Sequence, residues 1–461
     1  MNKNKMSEFL KQTVSFSKKD KLFFPEILKN FDIDEKIIIL SPLTANWLVI
    51  DRNHTAILDD LIQGKEIGIV AASAEATGNI HIFKKLITQI IAKNFASTTQ
   101  APQPLTDNSL KGAYFYLTNA CNLSCSHCYM FSGKADSSEL TIDEWIIAVN
   151  NFAESGGTNI TFSGGEILAK RGWFQVVKQA HNRGIKSTLL PNGTMWDSKS
   201  ISDVAPYVSE VQISLDGPTE EINAKTRGSG AYKIAIDTAK EFSAKGVRTS
   251  IAMTATLETI HLFESDFQIF FENQIVGTGI NIKMSHKLLS GRSVNALTGL
   301  NKKIYEEKAS RLSEIIYPKS KQRSFALEHK PNILHKNCGF GGASISSTGD
   351  VYPCNRIDDV RSLGNIKTDN FEKLIALLNE SSKMTDVDSI LPCKHCDLRY
   401  VCGGGCRIDD YYLLDSKGAN SAFNNAELEQ NTVKKDFCPD SYKTGLLRQM
   451  MSLNDYKFII E

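Results

Sequence analysis

The spacing of apolar residues from about residue 111 onward alternates between two patterns. Segments of strand-like composition are separated by stretches whose apolar residues recur every three or four positions, as on one face of a helix. The strand-like segments are AYFYLT (113–118), NITFSGGE (159–166), IKSTLLPNG (185–193), EVQISLDG (210–217), VRTSIAMTAT (247–256) and INIKMSHKL (280–288). The helical stretches are DEWIIAVNNFAESGG (143–157), WFQVVKQAHNRG (173–184) and AYKIAIDTAKEFSAKG (231–246). This alternation predicts βαβ units and a parallel sheet.

Residues 1–105 have a different pattern and are predicted to form a separate module. The segment KIIILSPLTANWLVID (36–51) predicts two short strands around a Ser-Pro pair. Asn53 and Thr55 are residues of the type that caps a helix, and they precede the apolar run AILDDLI. A further helix is predicted over 80–95 from its helical spacing of apolar residues. The module is therefore expected to be a small domain of strands and helices.

Turn-forming residues separate this module from the rest of the chain. Segment 101–110, APQPLTDNSL, is predicted to be a linker. We expect the parallel-sheet domain to occupy 106–320 and a C-terminal domain to occupy 321–461. The C-terminal domain has short elements and few apolar runs, so its fold is expected to depend on metal. Within it, the polar segment 415–435 is predicted to be an exposed loop.

Charge and hydrophobicity exclude several classes of protein. The chain has 461 residues, a formal net charge of +1 and 41% hydrophobic residues. A near-zero charge gives no reason to expect nucleic acid or an anionic membrane as a partner. No apolar run reaches the ~18–20 residues that a membrane span requires. The polar N-terminus MNKNKMSEFLKQT lacks the apolar centre of a signal peptide. We therefore expect a soluble cytoplasmic protein.

The ten cysteines are clustered along the chain. Three lie within 121–128 and seven within 338–438. Disulfides are disfavoured in a reducing compartment, and thiols that merely fill a core would not be clustered. Clusters at ligand-like spacing indicate metal sites.

The first cluster, NACNLSCSHCYM, has the spacing C-x3-C-x2-C in Cys121, Cys125 and Cys128. Three thiolates from one short loop can hold three irons of a [4Fe–4S] cube and leave the fourth iron open to a small-molecule ligand. Zinc is disfavoured because no fourth Cys or His lies nearby at zinc spacing except His127, which sits between two of the cysteines.

This motif, following a predicted strand, resembles the radical S-adenosylmethionine (SAM) superfamily. The resemblance implies a partial (β/α)6 barrel in which the open iron chelates SAM. Reductive cleavage of SAM then yields a 5′-deoxyadenosyl radical that abstracts a hydrogen atom from the substrate. The active site is expected at the C-terminal ends of the strands.

Further positions match the superfamily in order and are implied to bind SAM. Gly164, Gly165 and Glu166 follow the second strand, and the resemblance implies that this turn contacts the SAM amino group. Ile167 departs from the proline that is frequent there, as in some thioether-forming relatives. The remaining implied contacts are Ser214 and Asp216 to the ribose, Arg227 to the SAM carboxylate, and Met253, with core packing as its alternative, to the adenine.

The seven C-terminal cysteines resemble the SPASM domain, which carries two auxiliary [4Fe–4S] clusters. The resemblance implies three clusters in the chain. One auxiliary cluster is implied to bind Cys393, Cys396, Cys402 and Cys438; the other, Cys338, Cys354 and Cys406. The second cluster has one iron without a cysteine, which can bind a substrate thiolate in some relatives or can be filled by water or another protein group. A zinc ribbon is the alternative for C-x2-C-x5-C-x3-C alone.

Residues 20–100 resemble the winged-helix-like RiPP recognition element, which binds the leader of a precursor peptide by adding a strand to a sheet edge. A structural cap without a ligand is the alternative. Together the three domains resemble peptide maturases, in particular sactipeptide synthases, which join a cysteine sulfur to a carbon of another residue. This resemblance implies a precursor peptide as substrate and a flavodoxin or ferredoxin as electron donor.

Other reactions share this domain arrangement. Carbon–carbon or ether crosslinking and epimerisation of peptides remain open from the sequence. Anaerobic sulfatase maturases also have a SPASM domain, but they use an acidic base directly after the second C-terminal cysteine. Asn355 stands there in this chain. A non-catalytic peptide-binding or electron-transfer protein is disfavoured by the complete set of SAM-binding positions. The sequence does not identify a catalytic acid or base.

Overall fold

The computed structural model describes residues 17–103, 111–316, 333–436 and 438–452. Both predicted domain boundaries, after 105 and after 320, lie outside these ranges, as do most of the predicted linker and the first sixteen residues. Among the described residues, no helix is long and apolar enough to cross a membrane.

The N-terminal domain is a three-stranded antiparallel sheet followed by three helices. The strands are β1 (Lys29–Ile33), β2 (Lys36–Ser41) and β3 (Asn46–Asp51), in that spatial order. The helices are α1 (Thr55–Ile62), α2 (Ile67–Ala76) and α3 (Ile80–Ala92). The two predicted strands and the helix from Ile80 are confirmed. Strand β1 was not predicted, because KNFDI has little apolar alternation.

The predicted cap of α1 is wrong. The helix starts at Thr55, its N-cap residue is His54, and no side chain bonds the first turn. Asn53 lies one residue earlier, in a short 3-10 turn over Arg52–His54. That turn continues directly into the helix, so the chain has no extended residue at which Asn53 or Thr55 could act as a cap.

Both faces of the N-terminal sheet are covered. One face packs Leu48 and Ile50 against the three helices. The other face packs Ile38 and Trp47 against Met450 of the C-terminal domain and its neighbours. The sheet edges are therefore the parts of this sheet where another chain can pair with backbone groups.

The central domain is built on six parallel strands. They are β4 (Gly112–Tyr116), β5 (Asn159–Ser163), β6 (Lys186–Leu189), β7 (Glu210–Ser214), β8 (Arg248–Met253) and β9 (Asn281–Met284), adjacent in sequence order. The helices between and after them are α4 (Ile142–Glu154), α5 (Trp173–Asn182), α6 (Ser198–Val204), α7 (Glu220–Arg227), α8 (Ala231–Ala244), α9 (Ile260–Phe270) and α10 (Gly299–Ile316). This confirms the predicted parallel α/β barrel sheet.

The C-terminal domain continues the same sheet. Strand β10 (Ala343–Ile345) pairs in parallel with β4. Strands β11 (Asp350–Tyr352) and β12 (Gly364–Asn365) then add in antiparallel orientation, which gives nine strands. Shared backbone hydrogen bonds therefore fix the C-terminal domain against the first barrel strand.

A third sheet has two of its three strands in the segment predicted to be a loop. Strand β13 (Tyr412–Leu414) pairs with β14 (Asn420–Ala422) and β15 (Thr432–Lys434). The prediction of an exposed loop over 415–435 is therefore wrong. Leu428 and Val433 are buried, and strands of three residues give too few positions for alternation to show. The helices of this domain are α11 (Phe371–Met384), α12 (Arg399–Cys402), α13 (Arg407–Asp410) and α14 (Asp440–Ser452).

Candidate functional site

The loop that follows β4, residues 119–133, carries the first three cysteines and is called the cysteine loop below. Its two ends are tied by Cys121 N donating to Gly133 O and Gly133 N donating to Asn119 O, both at 2.9 Å. Its middle is held by Ser126 N, which donates to Thr226 O at 3.0 Å. The loop is therefore closed on itself and anchored at the end of α7.

Two side chains from other parts of the barrel domain approach the sulfurs of the cysteine loop. Asn192 Nδ2 lies 3.8 Å from Cys121 Sγ, and Arg227 Nη1 lies 3.9 Å from Cys125 Sγ. Burial raises the pKa of both thiols, against the lowering effect of Arg227 on Cys125. A bound cation is needed to hold these thiols as thiolates, and the two N–H donors then stabilise the negative charge on sulfur.

The glycine pair after β5 is required by close backbone contact. Gly165 N donates to Thr118 O at 2.8 Å, and Gly164 has a φ of +142°. A Cβ on Gly164 would lie 2.4 Å from Thr118 O, and one on Gly165 would lie 2.2 Å from Ala120 O. The sequence predicted close approach of this turn to a ligand. In the structure the neighbour is the chain leading into the cysteine loop.

The carboxylate of Glu166 is fully buried and bonded to backbone. Asn192 N donates to its Oε2 at 2.7 Å, and Leu168 N lies 3.5 Å from its Oε1. Burial raises the pKa of Glu166 to about 7. Glu166 therefore joins the ends of β5 and β6 beneath the cysteine loop. Its role as an acceptor for SAM stays a prediction.

Asp216, just beyond β7, is the centre of a buried charge cluster. Its Oδ2 lies 2.6 Å from Arg227 Nε and 3.2 Å from His127 Nε2. Its Oδ1 accepts from Thr254 N at 2.9 Å. The carboxylate is 1% exposed and these protein groups surround it, and its contact with the ribose stays a prediction. Asp216 orients Arg227, which in turn reaches Cys125.

The seven C-terminal cysteines lie in two groups. Burial, and then Cys338 and Cys406, raise the pKa of Cys354 to about 11, which shows that these three thiols are close neighbours. Burial, and then Cys393 and Cys438, raise the pKa of Cys396. Burial also raises the pKa of Cys438, with Cys402 and Cys393 adding to the shift. These neighbours are consistent with the three-plus-four division expected from the sequence, and the ligand sets stay a prediction.

Sulfur spacing distinguishes zinc from a cube. A tetrahedral zinc site with Zn–S of about 2.3 Å brings its sulfurs to within ~3.8 Å of one another. In the part of the chain that the structure describes, His335, Asp386 and Asp388 form the sole group of three or more Cys, His, Asp or Glu whose ligand atoms all lie within 4.8 Å. No cysteine group among the described residues therefore brings three sulfurs as close together as a zinc ion requires. A [4Fe–4S] cluster, which binds each thiolate to its own iron, does not require such close sulfurs.

The models of two protein families match regions that contain the cysteine loop and four of the seven C-terminal cysteines. The radical SAM superfamily matches residues 115–268, and the SPASM iron–sulfur cluster-binding domain matches residues 337–397. Residues 115–268 belong to the radical SAM superfamily, and residues 337–397 belong to the SPASM domain family. The two matches imply iron–sulfur clusters and SAM as cofactors of this enzyme.

Similar proteins match different shares of this radical SAM enzyme. The sporulation killing factor maturation protein SkfB of Bacillus subtilis (strain 168) is 27% identical over 253 residues, which is 49% of this chain and 60% of SkfB. The AdoMet-dependent heme synthase of Oleidesulfovibrio alaskensis is 23% identical over 328 residues, which is 65% of this chain and 83% of that protein. The structure of native anSMEcpe with bound AdoMet has a TM-score of 0.53 at 17% identity and covers 75% of this chain and 100% of that one. This last match shows a shared fold.

The radical SAM barrel collects its predicted SAM contacts at the C-terminal ends of the strands. Gly165 follows β5, and Ser214 and Met253 are the last residues of β7 and β8. Ser214 is half-buried. Met253 is completely buried in the barrel core, which supports the packing role. The SAM contacts of these residues stay predictions.

A cavity of about 450 Å³ lies between the cysteine loop and the C-terminal domain. Tyr129 and Phe131 of the cysteine loop line this cavity. Arg356, Asp358 and Asp409 of the C-terminal domain also line it. Arg356 Nη1 lies 3.8 Å from Cys406 Sγ and 2.6 Å from Asp409 Oδ1. One cavity therefore has both cysteine regions at its walls.

Sequence reasoning missed the segment that crosses the cysteine loop. Residues 285–298, called the crossing segment, follow β9. Arg292 N donates to Cys128 O at 3.2 Å. The Arg292 guanidinium donates to Ser124 Oγ and Ser132 O, which flank the pair Cys125 and Cys128. Gly291 lies so close that an added Cβ would be 2.5 Å from the His127 backbone. The position after a barrel strand was the available signal, and it also marks Asn192.

Proposed function

We propose that this radical SAM enzyme is a maturase of a ribosomally synthesised peptide that forms intramolecular thioether crosslinks from a cysteine sulfur to a carbon. The observation that supports the proposal most is the cavity lined by Tyr129 and Arg356, because a peptide segment bound in it would lie beside both cysteine regions. The name of the relative SkfB, a maturation protein, supports a peptide substrate. We further propose three [4Fe–4S] clusters, bound by the three cysteine groups described above.

Residues of this chain orient the cysteine sulfurs and hold the residues that line the cavity. When bound, the cluster and SAM supply a 5′-deoxyadenosyl radical that removes a hydrogen atom from the substrate. Arg227 and Asn192 direct N–H groups at the cysteine sulfurs. Arg356 and Lys287 both pair with Asp409, at 2.6 and 2.9 Å, and hold the far wall in place.

Closing a thioether also requires that the substrate thiol lose its proton and that the product radical lose one electron, which an auxiliary cluster of the C-terminal domain would accept. Asp358 lines the cavity and makes no ion pair or side-chain hydrogen bond within the described residues. Its neighbour Asp359 is paired with Arg356 at 2.6 Å. Burial, and then Asp359, raise the pKa of Asp358, which makes its carboxylate a better proton acceptor. We therefore assign Asp358 as the acceptor of the thiol proton.

The reaction is tested with the short peptide encoded beside the gene, SAM and a low-potential reductant, without oxygen. We expect 5′-deoxyadenosine together with the loss of two hydrogens per bridge and the loss of one alkylatable thiol per bridge. The same mass loss with all thiols still alkylatable would indicate carbon–carbon or ether crosslinks. An unchanged mass with an inverted residue would indicate epimerisation. Either result contradicts thioether formation.

The N-terminal domain is proposed to bind the leader by strand addition. The outer backbone of β1 makes no hydrogen bond within the described residues. The edge of β3 is closed at its centre, where Val49 N donates to Gln89 Oε1 and Gln89 Nε2 donates to Val49 O, both at 3.2 Å. A peptide can therefore pair with β1 directly, whereas it must displace Gln89 to pair with β3.

Two variants test which edge strand, β1 or β3, pairs with the leader. By the alternation of the antiparallel ladder, Asn30 N points away from β2, so Asn30→Pro blocks pairing at β1 and leaves the β1–β2 ladder intact. Gln89→Leu changes the edge of β3. Fluorescence-anisotropy binding of the labelled leader is expected to change in one of the two variants. Unchanged affinity in both would contradict strand addition.

Flavodoxin or ferredoxin remains the proposed electron donor. Anaerobic titration with either reduced protein, followed by the absorbance of the clusters, tests this partner. Sulfatase-maturase chemistry is the least favoured reaction. Asn355 occupies the position of the base, and its side chain accepts from Cys354 Sγ at 3.6 Å.

A further inference from the structure

Two tyrosines fill the space between the cysteine loop and the loop of Cys354. Tyr129 directly follows Cys128, and Asn355 directly follows Cys354. Tyr116 donates a hydrogen bond from its hydroxyl to Asn355 O at 2.7 Å. The same hydroxyl oxygen lies 3.5 Å from the hydroxyl oxygen of Tyr129. One hydrogen bond and one oxygen–oxygen contact therefore connect the two cysteine-bearing loops.

Each phenol is close to a different cysteine region. Burial, with the neighbouring Tyr129 and Cys354 adding to the effect, raises the pKa of Tyr116 far above its usual range. Burial also raises the pKa of Tyr129, and Cys128 adds to that shift. Tyr116 therefore lies near Cys354, and Tyr129 lies near Cys128.

The aromatic column continues along β4. Tyr114 and Tyr116 are two residues apart on the strand and so point to the same face. Their ring centroids are 6.4 Å apart with an interplanar angle of 21°. Tyr114 also lies within electrostatic reach of Cys354, which contributes to its raised pKa after burial. Aromatic side chains therefore lie between the cysteine loop and the loop of Cys354.

We infer that Tyr116 and Tyr129 form the route by which an electron passes between the cluster bound by Cys354 and the cluster bound by Cys128. Tunnelling is faster through contacting π systems and hydrogen bonds than through saturated side chains or open space. Tyr116 contributes the hydrogen bond to the Cys354 loop, and Tyr129 contributes the covalent connection to Cys128.

The transfer balances without a proton. One electron leaves the auxiliary cluster, which is oxidised, and arrives at the cluster of the cysteine loop, which is reduced. The phenols are unchanged by the step, because the electron tunnels through them and no bond to their oxygens forms or breaks. In the proposed reaction, the route returns the surplus electron from the product radical for the next cleavage of SAM.

This inference rests on the proposed assignment of the cysteines to clusters, so iron and sulfide are measured first. The holoenzyme is reconstituted without oxygen and reduced by a single light flash in the presence of a deazaflavin. Freeze-quench electron paramagnetic resonance then follows the redistribution of the electron. Addition of SAM distinguishes the clusters, because it changes the signal of the cluster that binds it.

Four proteins are compared: the wild type, Tyr116→Leu, Tyr116→Phe and the control Tyr207→Leu, whose ring packs on Phe174 and His181 outside the barrel. We expect Tyr116→Leu to slow the redistribution several-fold with unchanged iron content. Tyr116→Phe keeps the ring and is expected to slow it less. The control is expected to match the wild type, and heavy water is expected to have no effect.

Redistribution in Tyr116→Leu at the rate of the control, with full iron content, would overturn the inference while leaving the proposed function intact. A slower rate in heavy water would overturn transfer through neutral phenols. Protein that binds no iron–sulfur clusters would instead refute the proposed function. Tyr129→Phe provides a second variant, should leucine at position 116 prevent folding.

Discussion

Arg227 and Asp216 form a buried ion pair, with Nε 2.6 Å from Oδ2, directly behind Cys125. The arginine belongs to α7 and the aspartate follows β7, so the pair joins two elements beneath the cysteine loop. The same Oδ2 lies 3.2 Å from His127 Nε2. The shape of the loop between Cys125 and Cys128 therefore depends on this carboxylate.

Asp216→Asn leaves Arg227 buried without its counter-charge. Breaking a buried pair from one side costs ~3–5 kcal/mol, because the remaining charge stays desolvated. We expect a loss of this order in the free energy of unfolding of the holoenzyme, measured by anaerobic urea denaturation. The control is Asp237→Asn, whose exposed pair with Lys233 is worth roughly 0.3–0.5 kcal/mol. Equal losses in the two variants would show that the Asp216 pair has no special role.

The stability of the SAM-free protein is expected to depend on Glu166. Burial raises its pKa from 4.5 to about 7, so the native state keeps a proton that the unfolded chain releases. Its stabilising contribution is present below about pH 4.5 and is lost as the pH rises through 7. Over that range it amounts to at most ~3 kcal/mol.

Glu166→Gln removes this titration. The free energy of unfolding, measured by urea denaturation at pH 5 and pH 8, is expected to fall less in the variant than in the wild type. An identical pH dependence of the two proteins would contradict the raised pKa. Because the comparison uses the difference between two proteins, other titrating groups cancel.

Cysteines of different groups are expected to have different effects on SAM cleavage. Cys125→Ala removes one of the three thiolates of the cysteine loop, and we expect the loss of one [4Fe–4S] cluster and of 5′-deoxyadenosine formation. Cys438→Ala is the matched variant, which loses iron from the C-terminal domain but retains SAM cleavage. Leader affinity is expected to stay unchanged in both. Cleavage of SAM by Cys125→Ala would refute the assignment.

Gly291→Ala tests the crossing segment. The added Cβ would lie 2.5 Å from the His127 backbone, and overpacking of this kind costs roughly 1–3 kcal/mol. We expect a displaced cysteine loop, seen as iron that is lost more rapidly to a chelator and as an altered resonance signal with SAM. Gly445→Ala, where an added Cβ meets nothing within 4 Å, is the control. A chelation rate equal to that of the control would contradict this packing.

Asp358→Asn is expected to slow crosslinking more than it slows the formation of 5′-deoxyadenosine, because the thiol proton then lacks its acceptor. In the wild type the crosslinking rate should rise with pH through a value above the usual pKa of an aspartate, as burial and Asp359 raise the pKa of Asp358. Glu306→Gln, in the same cavity, is the matched control. A variant with an unchanged ratio of crosslink to 5′-deoxyadenosine would exclude this role.

Local patterns in the sequence predicted the parallel sheet correctly and placed three cysteines on one loop. Strands such as β5 and β7 are short apolar runs that end at turn residues, and the spacing of Cys121, Cys125 and Cys128 belongs to a single loop. These features need only neighbouring residues, so they are visible in the linear chain. The predictions of a loop over 415–435 and of a helix cap at Asn53 were wrong because three-residue strands and 3-10 turns have weak local sequence signals.

The sequence by itself determined the order of the elements, the cysteine loop and the glycine pair, because hydrophobic periodicity and ligand spacing are properties of adjacent residues. Only the tertiary structure decided that Asp216 pairs with Arg227, that Gly164 and Gly165 contact the entrance of the cysteine loop, and that Tyr116 meets Asn355. Tyr116 and Asn355 are 239 positions apart along the chain. Such contacts are set by the parallel sheet, which brings the C-terminal ends of distant strands to one edge.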